Sequence, residues 1–342
     1  MTRRVTLPGM ARLRRVRIDA PGWTRRRAGK GFVYLDVERV RITQDEHLER
    51  IVGLAIPPAW QDVWISPWPH GHIQAAGLDD ARRRQYLYHA QWRLRRDRLK
   101  HDHVLDVARR LPAARRQVER DLALPGMPKE KVLALAFRLL DLAYLRVGGE
   151  GYAQKHGSYG LATLRKDHVR VLAPASDDDP GRVHLHFPAK SGQIRDTVVE
   201  DDVVADLVRT LVRRRDDTDD LLAWRDDDGT WHDVTSVDVG QYVKARLGDD
   251  ATAKDFRTWH ATVLAARGLA AAGPPPHSDR ARRKVVADVV RAVADELGNT
   301  PAVCRASYVD PRVVDLWAQG ETIRPTRSQR VAERSTLQLL GD

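Results

Sequence analysis

The stretch Leu297-Gly-Asn-Thr-Pro-Ala-Val-Cys-Arg-Ala-Ser-Tyr-Val-Asp-Pro311 lies near the C-terminal end of the chain and decides how its last third is organised. Gly298 ends a helical pattern, and Thr300 and Pro301 are suited to the N-cap and first turn of a new short helix. Tyr308 is then expected at the far end of that helix. Two interpretations of Tyr308 are open, a packed aromatic beside a capping turn or a nucleophile, and three basic residues elsewhere favour the nucleophile.

Composition limits the classes of protein to consider. A length of 342 residues predicts two or three domains with large cores. No apolar run approaches the roughly 18 residues of a membrane span, and no apolar segment of a secretory signal follows the basic N-terminus. A single cysteine, Cys304, excludes an internal disulfide and a Cys-rich metal site, and we expect it to be buried. The sequence predicts a cytoplasmic protein without a membrane partner.

The positive charge is concentrated in the N-terminal third. Residues 1–100 hold 21 Lys and Arg against 10 Asp and Glu, whereas the remaining 242 residues hold 37 of each. Such a distribution indicates a module that faces a polyanion such as nucleic acid. Arg greatly outnumbers Lys, so a general arginine bias of the proteome is the alternative explanation.

The N-terminal third has the signals of strands and turns. Short β-rich runs, a brief helix over 45–54 and several prolines predict a small β-rich domain, in which Trp60, Trp64 and Trp68 are expected to build the core. Residues 71–77 and 82–88 predict two strands around a turn.

One face of the second strand is a candidate DNA contact. Alternation places Tyr86 and Tyr88 on one face and Arg83, Gln85 and Leu87 on the other. Basic and aromatic side chains interleaved in this way suit a nucleic-acid groove, and an ordinary solvated strand is the alternative.

From residue 90 the pattern becomes helical. The segment 132–145 is apolar on all sides, which predicts a buried helix ended by the glycines at 148 and 149. Residues 183–187 and 194–199 predict a hairpin with Lys190 at its tip. Further helices are expected at about 201–214, 238–247, 254–272 and 279–297, and a loose polar tail from Thr322.

The basic residues of this region suit phosphoryl transfer to a tyrosine. A phenol, whose ordinary pKa is about 10, can attack a phosphodiester if cations hold the charge that develops on the phosphate. Arginine suits that task, and a lysine can protonate the leaving oxygen. Each candidate also has an ordinary structural explanation: Arg146 as a helix-end cation, Lys190 as a surface lysine, Arg257 as a salt-bridge partner and Asn299 as a cap.

The order and context of these residues resemble one family. The matching stretches are Leu54-Ala-Ile-Pro-Pro-Ala-Trp60, Gly71-His-Ile-Gln-Ala75, Gln85-Tyr-Leu-Tyr-His89, Leu145-Arg-Val-Gly-Gly-Glu150, Ser158-Tyr-Gly-Leu-Ala-Thr-Leu-Arg165, Phe187-Pro-Ala-Lys-Ser-Gly192, Lys254-Asp-Phe-Arg-Thr-Trp259 and Gly298–Tyr308. Together they resemble the bacterial, poxvirus-like type IB DNA topoisomerases over roughly residues 15–325.

The resemblance implies an α+β fold: a β-rich DNA-binding domain at 1–95, a mostly helical catalytic domain with a small antiparallel sheet at 96–325, and a tail at 326–342. These domains are expected to act as a clamp on double-stranded DNA. A monomer without an obligate protein partner, acting at the bacterial nucleoid without metal or other cofactor, is implied as well.

The resemblance also assigns roles. Tyr308 would form a 3′-phosphotyrosyl intermediate, Arg146 and Arg257 would hold the non-bridging oxygens, and Lys190 would be the leaving-group acid. Asn299 stands where many members have histidine, and its amide can donate a hydrogen bond to the phosphate. The expected DNA contacts are Lys254, Gln85, Tyr86, Tyr88 and Arg83.

Three further positions depart from the expected pattern. Ala189 replaces a glycine before the hairpin lysine, Arg82 replaces a glycine in the Arg-Gln-Tyr strand, and His260 replaces a small residue. Two rival interpretations remain. A tyrosine recombinase uses the same residue types but usually shows His-x-x-Arg where this chain has Lys254-x-x-Arg257, and a non-enzymatic DNA-binding protein accounts for the basic third but not for Tyr308.

Overall fold

The computed structural model describes residues 12–173, 176 and 179–341. The chain divides into two compact units, residues 1–100 and 101–342. The first is rich in strands and the second is mainly helical with small sheets, so the α+β prediction is confirmed. In the described part of the chain, no helix combines the length and the apolar character that crossing a membrane requires.

The first unit is built on one five-stranded antiparallel sheet of order β2-β1-β3-β4-β5. Its elements are β1 (Trp23–Ala28), β2 (Gly31–Leu35), α1 (Asp45–Gly53), β3 (Gln61–Ile65), β4 (Ile73–Leu78) and β5 (Arg84–Tyr88). Trp23, Ile42, Ile51 and Ile65 form the centre of its core. The predicted pairing of 71–77 with 82–88 is confirmed by the antiparallel β4–β5 ladder.

The three tryptophans of this unit have different fates. Trp64 is buried and donates its indole N–H to the Ala20 carbonyl at 3.0 Å, and Trp60 packs against the core. The prediction is wrong for Trp68, which is 47% exposed and carries the Arg14 guanidinium 3.8 Å over its ring. The sequence pattern could not distinguish the buried tryptophans from Trp68, because a cation stacked on its ring stabilises an aromatic side chain that is not buried.

The second unit begins within the long helix α2 (Ala90–Leu122). Its remaining helices are α3 (Lys129–Ala143), α4 (Glu150–His156), α5 (Asp202–Arg213), α6 (Ser236–Leu247), α7 (Ala253–Ala271), α8 (Asp279–Leu297), α9 (Pro301–Ser307), α10 (Pro311–Ala318) and α11 (Gln329–Gly341). Buried residues cover nearly all sides of α3 and α7, which therefore form the centre of this unit. Two short strands, β9 (Ala223–Arg225) and β10 (Trp231–Asp233), pair beside α3.

A three-stranded antiparallel sheet completes the second unit. It contains β6 (Val169–Leu172), β7 (Arg182–Pro188) and β8 (Ile194–Glu200) in that order. The predicted hairpin is confirmed, with Lys190 in a single turn of 3-10 helix between β7 and β8.

Two predictions are wrong, one about where the buried helix ends and one about the C-terminal tail. The buried helix ends at Ala143 rather than at the glycines, because Tyr144 adopts a left-handed conformation with φ 55°. The tail is not loose, because α11 buries Ala332, Thr336 and Leu340. These three positions are spaced four residues apart, which is the spacing of one helix face.

Candidate active site

Tyr308 lies where the sequence predicts it. The Thr300 hydroxyl accepts a hydrogen bond from the Val303 amide at 3.3 Å, Pro301 occupies the first turn, and Tyr308 is the residue that ends α9. Its side chain is buried, with 9% of the residue exposed. Cys304, one turn earlier, is fully buried as predicted, and burial raises the pKa of its thiol to about 11.

Arg257 stands next to the Tyr308 ring. Its guanidinium carbon is 5.1 Å from the ring centroid, and only 3% of the residue is exposed. The guanidinium donates to the main-chain carbonyls of Tyr144 and Leu297, the latter at 2.9 Å. Burial, together with the nearby Arg146 cation, lowers the pKa of Arg257 to about 10. Both acceptors are helix-end carbonyls, and not the carboxylate of an ordinary salt bridge.

Arg195, on β8, donates hydrogen bonds to the same two helix ends, those of α3 and α8. It donates to the carbonyls of Ala143 at 2.9 Å and Glu296 at 2.7 Å, and 7% of the residue is exposed. Burial and the charge of Arg146 lower its pKa. The last carbonyls of a helix have no intrahelical partner and carry partial negative charge, so they stabilise a buried cation. Arg195 and Arg257 therefore form a double bridge between the C-terminal ends of α3 and α8.

Arg146 and Asn299 meet across this bridge. Arg146 follows α3 in an irregular segment and donates from Nη2 to Asn299 Oδ1 at 2.5 Å. Asn299 is positioned by the left-handed Gly298 that ends α8, and its main-chain amide donates to the Ala294 carbonyl at 2.8 Å. Asn299 Nδ2 is buried and has no partner among the described residues. The part of the protein that the structure describes thus leaves this amide hydrogen-bond donor unsatisfied.

The loop after Arg146 is fixed by a close backbone contact. Gly148 has φ 80°, and a Cβ atom placed there would lie 2.8 Å from the Gly160 Cα. The Arg146 carbonyl accepts a hydrogen bond from the Leu161 amide at 2.8 Å. Glycine is required here both for the left-handed conformation and for the space. The Arg146 main chain is thereby held against the segment that contains Gly160 and Leu161.

These cations act on the Tyr308 hydroxyl. Burial alone would raise the pKa of Tyr308, but Arg257, Arg146 and Lys254 outweigh it and lower the pKa below its ordinary value. Lys254 is exposed in the first turn of α7. A phenol surrounded by cations loses its proton more readily and becomes a better nucleophile.

Lys190 is the one predicted catalytic side chain that the structure leaves apart. It is exposed at the hairpin tip and, within the described part of the chain, makes no hydrogen bond to Arg146, Arg257, Asn299 or Tyr308. Ala189 beside it lines a cleft whose wall also includes Arg146, Arg195 and Arg257. The hairpin thus borders the site while its lysine faces solvent.

Sequence analysis missed Arg195. It points inward on β8 directly opposite the buried Phe187, in a strand whose other inward positions are Thr197 and Val199. An arginine at an inward-facing strand position was the available signal, because a buried cation requires hydrogen-bond partners.

The candidate DNA contacts on β5 divide between two faces. The Tyr86 and Tyr88 rings stack with centroids 5.9 Å apart, which confirms that they share a face. Arg83 and Gln85 both donate to the Asp79 carboxylate at 2.9 Å. Arg84, which sequence analysis passed over, is exposed and shares the tyrosine face by alternation.

Two of the unusual positions have clear structural settings. Arg82 has φ 59°, which explains the expectation of glycine, since side chains rarely adopt that conformation. His260 is buried and donates from Nε2 to the Asp141 carboxylate at 2.8 Å. Arg115 also binds Asp141 at 2.7 Å and Glu333 of α11 at 2.6 Å. Burial would raise the pKa of Asp141, but His260 and Arg115 hold it well below its usual range.

Tyr308 is therefore a buried tyrosine beside the guanidinium groups of Arg257 and Arg146. A family model of the catalytic core of eukaryotic DNA topoisomerase I matches residues 89–326, and a model of the N-terminal domain of bacterial DNA topoisomerase IB matches residues 31–79. The chain belongs to the type IB DNA topoisomerase family, and it is a type I DNA topoisomerase.

Two relatives agree with this assignment. DNA topoisomerase 1B of Acanthamoeba polyphaga mimivirus is 29% identical over 300 residues, which cover 86% of this chain and 87% of the viral protein. Mitochondrial DNA topoisomerase I of Rattus norvegicus is 29% identical over 164 residues, which cover 46% of this chain and 26% of the rat protein.

Proposed function

We propose that this enzyme relaxes supercoiled duplex DNA by cutting and rejoining one strand through Tyr308, without a metal ion or ATP. The observation that carries the proposal is the cluster of Tyr308, Arg257, Arg146 and Asn299, in which cations lower the pKa of the phenol and an amide N–H is free. Relaxation itself requires no other source of energy, because exchanging one phosphodiester for another conserves the bond.

In the cleavage step, Tyr308 loses its proton to water, its Oη attacks the phosphorus atom and a new P–O bond forms. The bond from phosphorus to the 5′-oxygen breaks, which leaves the 3′-phosphate on the tyrosine and a free 5′-hydroxyl. Arg146 and Arg257 neutralise the charge that grows on the non-bridging oxygens, since guanidinium forks match two phosphate oxygens. Asn299 Nδ2 donates to the same group.

Lys190 supplies the proton that the departing 5′-oxygen needs. Its place beside Ala189, which lines the cleft, supports this role, because DNA bound at the cleft would meet the hairpin tip. Religation reverses each step: the 5′-hydroxyl gives its proton to Lys190 and attacks the phosphorus atom, the bond from phosphorus to Tyr308 Oη breaks, and the tyrosine recovers a proton from water.

The β-rich domain and the catalytic domain both contact the duplex in this proposal. Tyr86 and Tyr88 offer stacked rings to the sugar-phosphate backbone, and Arg83 and Gln85 contribute from the opposite face. Lys254 supports Arg257 at the cut strand. The domains are those predicted at 1–95 and 96–325, the enzyme acts as a monomer, and its place of action is the bacterial nucleoid.

The test is relaxation of supercoiled plasmid in EDTA without ATP. The wild type is expected to produce a ladder of topoisomers, and Tyr308→Phe, which removes only the hydroxyl, none. Tyr34→Phe removes a hydroxyl in the first unit and serves as the matched control, with relaxation unchanged. A DNA strand labelled at its 5′ end should become attached to the wild-type protein on denaturation, because the tyrosine retains the 3′-phosphate of that strand.

Relaxation by Tyr308→Phe, or a strict need for a metal ion or ATP, would overturn the proposal. A folded wild type that binds DNA without relaxing it would point to a binding protein instead. Activity confined to one defined DNA site would favour a recombinase.

A further inference from the structure

The solvent face of the β7–β8 hairpin carries a cluster that the proposed reaction does not use. His184 and His186 lie two residues apart on β7, so they share the face opposite to the buried Val183, Leu185 and Phe187. Asp196 of β8 stands directly across from His186 in the strand register. We propose that these three side chains, His184, His186 and Asp196, form a binding site for a divalent transition metal, with Zn²⁺ the best-suited ion.

The donor atoms already converge. His184 Nε2 is 2.8 Å from Asp196 Oδ1, and His186 Nδ1 is 3.2 Å from Asp196 Oδ2. One ligand atom from each residue lies within 4.8 Å of the others, and no other group of His, Cys, Asp and Glu in the described ranges meets that criterion. Bonds of about 2.0–2.2 Å in a tetrahedral zinc site separate neighbouring ligand atoms by roughly 3.4 Å. Small side-chain rotations therefore suffice.

The chemistry of the donors favours zinc over calcium or magnesium. Two imidazole nitrogens and one carboxylate are a common ligand set for zinc, and they leave a fourth position for water. Hard cations prefer a site made of oxygen atoms alone.

The neighbouring charges limit the affinity without blocking the site. Arg170 on β6 pairs with His184 in the strand register. Arg182, two residues before His184 on β7, pairs with Glu200 on β8. Arg182 also forms an ion pair with Asp179 at 3.0 Å. The two arginines oppose a cation and Glu200 attracts it, so we expect reversible zinc binding rather than a permanent structural ion.

The site has a consequence for the hairpin. His186 precedes Lys190 by four residues and Asp196 follows it by six, so a bound ion would tie the two strands together just below the tip. Zinc is thus expected to restrict the segment that carries Lys190. The binding site itself does not depend on the proposed reaction.

The test is a calorimetric titration of the untagged full-length protein with Zn²⁺ in a buffer that does not bind metal. One zinc ion per chain is expected for the wild type, and His186→Ala or Asp196→Asn should weaken binding at least about tenfold. His232→Ala is the matched control, because His232 and Asp226 form a pair at 2.7 Å that no third His, Cys, Asp or Glu among the described residues completes. Co²⁺ should give the absorption of a tetrahedral complex in the wild type and not in the variants.

Folding of each variant is checked by circular dichroism, and the exposure of His186 and Asp196 predicts no loss of structure. The proposal is overturned if the wild type binds no zinc, or if the hairpin variants bind it as tightly as the wild type. A loss of affinity in His232→Ala equal to that in His186→Ala would also contradict it.

Discussion

Replacing Arg115 by methionine should destabilise the second unit strongly. The arginine side chain is 18% exposed and binds two carboxylates, Asp141 and Glu333, whose side chains are each 9% exposed. Methionine keeps most of the aliphatic volume, so the substitution removes the charge and its hydrogen bonds rather than the packing. Without Arg115, Asp141 keeps His260 and Glu333 keeps Gln329. The two buried carboxylates nevertheless lose their shared cation, which costs about 3–5 kcal/mol of unfolding free energy.

The matched control is Arg109→Met, on the same helix. Arg109 pairs with Asp106 at 2.6 Å, but the two side chains are 51% and 64% exposed. An exposed pair contributes at most about 1 kcal/mol, so the control should unfold at nearly the urea concentration of the wild type. Urea unfolding followed by circular dichroism gives both free energies.

The pH dependence provides a second measurement. The pKa of Asp141 is lowered in the folded state, so its contribution to stability is present above the unfolded pKa of about 4 and is lost as the pH falls further. Arg115 supplies part of that contribution. The difference between Arg115→Met and the wild type should therefore be largest near neutral pH and shrink in acid. A loss no greater than that of Arg109→Met, or one that stays constant from pH 7 to pH 3, would refute this account of the network.

Two further predictions concern the residues around Tyr308. Gly298→Ala should lower the unfolding free energy by about 1–2 kcal/mol, because φ is 61° there. Gly240→Ala within α6 should instead raise the unfolding free energy by about 0.5–1 kcal/mol. Urea unfolding in which both variants change the unfolding free energy in the same direction would contradict this. Arg257→Ala should raise the pKa of Tyr308 and so move the pH profile of single-turnover DNA cleavage to higher pH. Arg257→Lys, which keeps a cation, should move the profile less. Coincident pH profiles for Arg257→Ala and the wild type would exclude an effect of Arg257 on the Tyr308 pKa.

Local signals in the sequence predicted much of the catalytic unit. Thr300 and Pro301 act within one turn of helix, and the hairpin around Lys190 is defined by residues adjacent in the chain. Such features depend on short-range geometry. The clustering of Arg146 with Asn299 was expected only from the family resemblance, because 153 residues separate the two in the chain.

What sequence analysis missed depends on long-range contacts. The end of α3 at Tyr144 has no glycine to mark it, and the Tyr144 carbonyl is taken by Arg257 far along the chain. The tail was interpreted as loose because it is polar overall, yet Glu333 is buried against Arg115 of α2. A charged residue that looks solvated in the sequence can be a buried partner when its counterion comes from another helix.

The double bridge that Arg195 and Arg257 make to the ends of α3 and α8 uses main-chain carbonyls only. The bridge itself therefore places no demand on the side chains at the four carbonyl positions, of which Ala143 and Leu297 are buried in the core. The bridge does depend on the length of each helix, because one inserted residue rotates all later positions by about 100° around the helix axis. An insertion within α3 or α8 should therefore move these carbonyls away from the two guanidinium groups, so the bridge constrains the lengths of the two helices rather than the side chains at their ends.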